Sequence, residues 1–573
     1  MAVDWHTPIT MDDGNVLRAD VYRPLHGRPC PAIMTYGIYG KGVAFQDEIY
    51  GMQWERLIAK EPAILEGSSN KYQSWEVVDP ERWVPHDYVV IRVDSRGAGW
   101  SPGFLDPRSE REAQDYHDCI EWAAEQSWCD GKIGLLGISY YAINQWRVAT
   151  TKPPHLAAII PWEGYLDYYR GPTHHGGIRS EFQDRWFQRQ VGRVQYGVGS
   201  RGLTNPNTGE SAAGPVDLSD EELRRNRIDL PAELQARTLD SDWYRERSTD
   251  ATKVEVPLLS AANWGGQGIH PTGNFNGFVQ AASQQKWLEV HGDTHFTHFY
   301  TAYGRDLQKR FLDHFLKGAD NGWDQQPRVQ LNIRHPGERF VLRPENEWPL
   351  ARTQWTKFFL HPESGELGRD VPATSGSTAY EALGDGVVFT MPSPEASLEI
   401  TGPMAAKLFI SSTTRDADLF LVLMLFDPDG NEVTFDGALD PNTPIANGWL
   451  RASHRAIDPE KSRPYQPYQP YHPHDRVEPL EPGEIYELDV EIWPSCIVVP
   501  SGYQLRLAVR GKDYVYTGEI EEYGKTFYYA TRGTGGMTHD DPMDRSADVF
   551  GGEVTLHCGP DTPSHLLLPV IPS

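Results

Sequence analysis

Four short apolar runs stand out in the first third of the chain: "PAIMTYG" (31–37), "YVVIRVD" (88–94), "IGLLGIS" (133–139) and "LAAIIPW" (156–162). They do not alternate polar with apolar residues, so each predicts a strand buried on both faces, as in a parallel sheet. Between the second and third lies "RSEREAQDYHDCIEWAAEQSW", where Ala113, Tyr116, Ile120, Ala123 and Ala124 fall near helical spacing. Strand, helix, strand, helix in that order predicts a doubly wound, mostly parallel α/β sheet over residues 1–165.

From 166 to 250 the pattern turns polar and Arg-rich, and "SDEELRRNRIDLPAELQART" combines an acidic capping start with helical composition. This predicts a helical cap. The α/β pattern resumes over 251–340 with "VPLLSAANW", "KWLEVHG" and the helix "GRDLQKRFLDHFLKG", so the cap interrupts one domain. From 341 to 573, "AKLFISSTT", "LFLVLMLFD", "YELDVEIW" and "QLRLAVRG" are strand-like runs separated by Pro, Gly and Asp turns. They predict an all-β sandwich or jelly roll of the galactose-binding-like kind. Inside it, "RPYQPYQPYHPHD" favours polyproline II and predicts an ordered surface strap.

Composition narrows the function. At 573 residues the chain is long enough for several cores, and 18 Trp, 27 Tyr and 20 Phe mark it as globular. A net charge of −27 without any lysine- or arginine-dense segment argues against nucleic acid and anionic membrane surfaces as partners. The five cysteines are odd in number, widely spaced and without C-x-x-C, which fits thiols in a reducing compartment and neither a disulfide framework nor a zinc site. The start, "MAVDWHTPITMDDGN", lacks the charged and apolar regions of a signal peptide. A cytoplasmic location is the expectation.

The chemistry centres on Gly137-Ile138-Ser139-Tyr140-Tyr141, a turn between the third buried run and the predicted helix "AINQWRVAT". Such a strand–turn–helix elbow holds a serine where a base can activate it, and small neighbours let strand and helix approach. Gly137 supplies one small residue and Ala142 another, while Tyr141 stands where a simple G-x-S-x-G pattern has its second glycine.

"DGKIGLLGISYYAINQW" resembles the G-x-S-Y-x-G elbow of the cocaine-esterase-like α/β hydrolases, a family that also holds X-prolyl dipeptidyl peptidases and α-amino-acid ester hydrolases. Further resembling segments are "MDDGNVLRADVYRP", "DSRGAGWSPG", "FLDHFLKGADNG" and "GEIYELDVEIWP", which span almost the whole chain. The resemblance implies an α/β hydrolase core, a helical cap and a jelly-roll domain, and catalysis without metal or cofactor. It also implies dimers or larger homo-oligomers, which no segment specifies.

Triad order in this fold puts the histidine after the last core strand. There "KWLEVHGDTHFTHFY" offers His291, His295 and His298, and the resemblance selects His295. The backbone N–H of Tyr140 is one oxyanion donor by geometry. The resemblance implies a tyrosine hydroxyl as the second, matched by Tyr39, with Tyr36 as rival. The family's acid position is Gly266, in "NWGGQ", so the carboxylate must come from elsewhere. Glu163, just past the strand after the nucleophile helix, is the best substitute, with Asp167 next and Asp293 uncomfortably close to His295. Trp162, Tyr165 and Trp264 are expected to line the substrate pocket.

The sequence therefore predicts a serine hydrolase cleaving small carboxylic esters or amides through an acyl-enzyme. An X-prolyl aminopeptidase or acylase is the alternative within enzymes; it needs a cap carboxylate cluster such as Glu163, Asp167, Glu181 and Asp184. An impaired binding protein is the alternative of another class. Adjacent His174 and His175 lack further ligands at metal spacing and read as a cap loop.

Overall fold

The four apolar runs become adjacent strands at the centre of one sheet in the computed structural model, which describes residues 1–47, 49–519 and 532–572. The strands are β1 (Ala2–Thr10), β2 (Val16–Arg23), β3 (Cys30–Gly37), β4 (Val89–Asp94), β5 (Cys129–Ile138), β6 (Leu156–Trp162), β7 (Leu258–Asn263), β8 (Lys286–His291), β9 (Val329–His335) and β10 (Arg339–Glu345). Their order is β1-β2-β4-β3-β5-β6-β7-β8-β9-β10. Neighbours from β4 to β9 run parallel, and β1, β2 and β10 add antiparallel edges. Every residue of β3 and β4 is buried, as continuous apolar runs require between two layers of helices.

Helix α1 (Glu110–Ala124) is N-capped by Ser109 and buries Tyr116, Cys119, Ile120 and Ala123 on the predicted face. Helices α2 (Tyr140–Thr150), α3 (Pro271–Gln280) and α4 (Ala302–Lys317) follow β5, β7 and β8. In register, Ile138 pairs with Trp162, and Asn263 with His291. The loops leaving β5, β6, β7 and β8 thus converge on one carboxyl edge, where a doubly wound sheet builds its site.

The stretch between β6 and β7 is less helical than expected. Its helices are short, among them Phe182–Trp186, Asp220–Arg225 with its Ser219/Glu222 capping box, Leu230–Ala236 and Asp242–Arg247. His174–His175 pairs with Ile178–Arg179 in a small hairpin, a turn that Gly176 and Gly177 permit with φ of 56° and 91°. The first sheet also runs to Glu345, past the boundary expected at 340.

The C-terminal domain is a β-barrel. Among the described residues nine strands close a ring: Leu398–Ser412, Tyr486–Val499, Ala446–Arg451, Asp418–Phe426, Gln504–Arg510, Val387–Thr390, Glu366–Gly368, Gln354–His361 and His565–Ile571, which pairs back with the first. A sandwich or jelly roll was the expectation. Closure comes from the 15-residue strand Leu398–Ser412, which shifts register after Gly402 and pairs with strands on both sides.

The proline-rich strap bridges the two domains. The Arg170 guanidinium donates to the carbonyls of His472 and Pro473 and lies 4.7 Å from the Tyr471 ring. Arg334 on β9 donates to the carbonyls of Cys496 and Ile445. No helix among the described residues is long and apolar enough to cross a membrane.

Candidate active site

Strand β5 delivers Ser139 into a turn with φ 57° and ψ −112°, a sparsely populated conformation for a non-glycine residue. The turn is held by the Ser139 N–H, which donates to the carbonyl of Trp162 at 3.0 Å. Two residues on, Tyr141 lays its ring across Gly37, where a Cβ would come within 2.3 Å of the ring. Its bulk is thereby placed over β3 and away from the elbow. Ala142 is the position that must stay small, because a Cβ on Gly164 would sit 2.8 Å from the Ala142 Cβ.

The ring that meets the serine is His270, with Nε2 3.1 Å from Ser139 Oγ. It lies at the start of α3, four residues after Gly266. This corrects the expectation for His295, whose nitrogens are both occupied: Nδ1 by Glu163 at 2.9 Å and Nε2 by Glu76 at 2.8 Å. The two imidazoles stack with centroids 5.0 Å apart and planes 6° from parallel. Glu163 gathers the cluster: its other oxygen bonds His291 Nε2 at 3.0 Å, and its Oε2 lies 3.9 Å from His270 Nδ1. Glu76 and Glu163 also have positive φ, at 62° and 53°, so three strained residues meet here.

The electrostatics follow from burial and pairing. Burial lowers the His270 imidazole to about 3, helped by the neighbouring His295 cation. His270 is thus neutral at pH 7 and able to accept a proton. For His295 burial acts the same way, but Glu163 and Glu76 outweigh it and raise the ring to about 10. His291 is raised to about 9 against its burial by Glu289 and Glu163. Burial would raise the Glu163 carboxyl, yet the His295 and His291 cations hold it at about 2. Glu76 is pushed up to about 7 by burial, against the pull of His295.

A cavity of about 30 Å³ opens onto Ser139, lined by Tyr39, Tyr140, Tyr165, Trp186, His270 and Leu439 among others. The Tyr39 hydroxyl accepts a hydrogen bond from Trp186 Nε1 at 3.0 Å, and its ring meets Tyr140 edge-on at 5.9 Å. The Tyr140 N–H is the first amide of α2 and has no carbonyl behind it within the helix. Tyr165 lines the cavity as expected; Trp162 and Trp264 do not. Trp162 stacks on His291 in the core, and Trp264 packs on Phe275 and Trp348 while donating to the Asn332 carbonyl. At the end of β6 and just past the end of β7, both point into the sheet's own packing. The β-barrel supplies Leu439 to the cavity wall and the Ala438 carbonyl to the His295 N–H.

Asp167 is bound to Arg170, and Asp293 to Lys60, so neither rival carboxylate reaches a histidine of the cluster. Tyr36 stacks on Tyr116 beneath the sheet, and His298 packs edge-on against His291. His270, Glu76 and Arg108 were not anticipated. His270 sits beside the helix-starting Pro271 in a strand-to-helix loop, which is the one signal that marks it; Glu76 and Arg108 lie in loops without a pattern. Glu163, His270 and His295 bring ligand atoms within 4.8 Å of one another and could hold a cation, at the cost of the bonds His295 makes to both carboxylates.

Comparison with known proteins places this geometry. Residues 13–297 match the X-Pro dipeptidyl-peptidase (S15 family) model, and 321–567 match the X-Pro dipeptidyl-peptidase C-terminal non-catalytic domain. A crystal structure of a CocE/NonD family hydrolase from Staphylococcus aureus superimposes with TM-score 0.84 and 32% identity, covering 99% of this chain and 94% of that one. The chain belongs to the CocE/NonD hydrolase family. Within this family it is also similar to cocaine esterase from Rhodococcus sp. (strain MB1 Bresler), at 23% identity over 98% of this chain and 97% of that protein. An aminopeptidase from a marine sediment Thaumarchaeota archaeon shares the fold, with TM-score 0.68 and 15% identity over 100% and 96% of the two chains. As a CocE/NonD member the protein is a serine hydrolase of the esterase and peptidase type.

Proposed function

We propose that the protein hydrolyses carboxylic esters through an acyl-enzyme on Ser139. The observation that carries this reading is the Ser139 hydroxyl bonded to a neutral, buried His270 at the elbow of the sheet. Ser139 attacks the carbonyl carbon as its proton passes to His270 Nε2. The developing oxyanion is held by the Tyr140 N–H and the Tyr39 hydroxyl. Collapse expels the alcohol, which takes the proton back from His270, and water then repeats the sequence on the acyl-enzyme.

Glu163, one residue past β6, lies 3.9 Å from His270 Nδ1, offsets the charge that His270 gains and is itself fixed by His295 and His291. His295 acts as a positioning residue in this scheme. The ester reading is favoured over aminopeptidase action because the cap carboxylates are occupied: Asp184 by Arg179, Glu181 by Arg185, and Asp167 by Arg170. Five buried, unpaired cysteines fit a reducing, cytoplasmic setting.

Turnover of p-nitrophenyl alkanoates, set against Xaa-Pro p-nitroanilides, tests the proposal. Ester turnover that disappears in Ser139→Ala supports it; anilide turnover exceeding ester turnover would replace it with the peptidase reading.

A further inference from the structure

Arg108 lines the cavity that holds Ser139, yet its Nε and Nη1 are buried without a hydrogen-bond partner among the described residues. The residue is 2% exposed. Its backbone N–H donates to Glu112, but the Glu112 oxygens are bonded by the Tyr140 hydroxyl, and no carboxylate pairs with the guanidinium. Four aromatic rings surround it instead: Tyr168 at 4.6 Å, Trp186 at 4.7 Å, Tyr140 at 5.3 Å and Tyr165 at 5.5 Å. Cation–π contacts hold the group flat and dry, but they satisfy none of its N–H donors.

A buried cation whose N–H donors are left unpaired is strongly disfavoured, and a ligand that accepts from them relieves the cost. A neighbouring wall residue offers a further unsatisfied donor. The Tyr165 hydroxyl is buried without a partner, and Tyr165 lines the same cavity. The Arg108 guanidinium and the Tyr165 hydroxyl, both donors, thus stand in the wall of a space that opens onto the nucleophile. Tyr140 connects the two ends, because its ring borders Arg108 and its N–H borders Ser139.

We infer that Arg108, with the Tyr165 hydroxyl, forms a subsite for a carboxylate carried by the substrate, so that the preferred esters are anionic half-esters of dicarboxylic acids. This rests on the ester-hydrolase reading and adds the charge of the acyl part. The planar fork of the guanidinium matches a carboxylate in two parallel hydrogen bonds, and the aromatic walls exclude the water that would compete.

The test compares the mono-p-nitrophenyl esters of succinate, glutarate and adipate with the uncharged p-nitrophenyl alkanoates of equal length. The best anionic ester is expected to exceed its neutral counterpart in kcat/KM by at least about tenfold, the worth of one charged hydrogen bond. In Arg108→Gln that ratio falls roughly 10- to 100-fold, and Arg108→Lys keeps part of it. A wild-type preference for the neutral ester, or a ratio unchanged in Arg108→Gln, overturns the subsite. If the variants do not fold, inhibition of the wild-type enzyme decides: free dicarboxylate inhibits and its diamide does not, and equal effects refute the proposal. Turnover of neutral esters without anion preference sinks only the subsite, whereas no turnover of either ester sinks the hydrolase reading beneath it.

Discussion

Replacing Glu163 by Gln removes one negative charge from a point where three imidazoles converge. Two of them, His291 and His295, are cationic and bonded to it at 3.0 and 2.9 Å, in surroundings where Glu163 itself is 0% exposed. Glutamine keeps the shape but presents an N–H where an N–H already points. Breaking a buried pair from one side costs about 3–5 kcal/mol, because the remaining charge stays desolvated. His295 keeps Glu76, and His291 keeps Glu289, so the lower end, about 3 kcal/mol, is expected.

The pH dependence fixes the sign. Glu163 titrates near 2 when folded against an ordinary 4.5, so its contribution is present above pH 4.5 and is lost as the pH falls towards 2. His295 titrates near 10 against 6.5, so its contribution is full below pH 6.5 and is lost as the pH rises through about 10. The stability gap between wild type and Glu163→Gln is therefore widest between about pH 4.5 and 6.5 and narrows at both extremes. Denaturant unfolding across pH 3–10 reads the gap, and ester turnover should fall by about tenfold or more in parallel, because His270 loses the nearby charge that offsets its own on protonation. A gap that does not vary with pH, or turnover within threefold of wild type, refutes the assignment.

Other consequences follow from the same site. Tyr39→Phe removes the hydroxyl proposed as an oxyanion donor and should lower kcat about 10²- to 10³-fold with little change in KM, measured by steady-state kinetics. Gly164→Ala pushes a methyl group to within 2.8 Å of the Ala142 Cβ, and should cost about 1–3 kcal/mol in unfolding together with a loss of turnover. Because burial holds His270 near 3, its basic form persists through mild acid; the kcat/KM profile should show no acid limb near pH 6.5, and a limb there would contradict the neutral-histidine site.

The sequence was most informative where one signal dominated. The buried runs specified β3 to β6 because a strand covered on both faces has no polar alternation to confuse, and the elbow followed because Gly137 and Ala142 bracket Ser139 at a strand end. Glu163 was legible as a carboxylate at the end of β6, on the edge where Ser139 emerges. What failed depended on side-chain direction or on distant loops. Trp162 and Trp264 lie at the right edge but turn into the core, a choice set by register with β7 and by Phe275 and Trp348. His270 was hidden because motif order points to the histidine after β8, while the loop after β7 inserts its own ring between that histidine and the serine. Arg108 and Glu76 reach the site from loops whose paths only tertiary packing determines. The barrel closed because one long strand bends, and a bend leaves little trace in alternation.

The proposed hydrolysis depends on activation of Ser139 by His270. Its most direct test is the rate of covalent labelling by a fluorophosphonate, followed by intact mass and peptide mapping in wild type and His270→Ala. A single adduct on Ser139 is expected in the wild-type enzyme, with labelling slowed about 100-fold or more in His270→Ala. Labelling of another residue, or of Ser139 at an undiminished rate without His270, would contradict it.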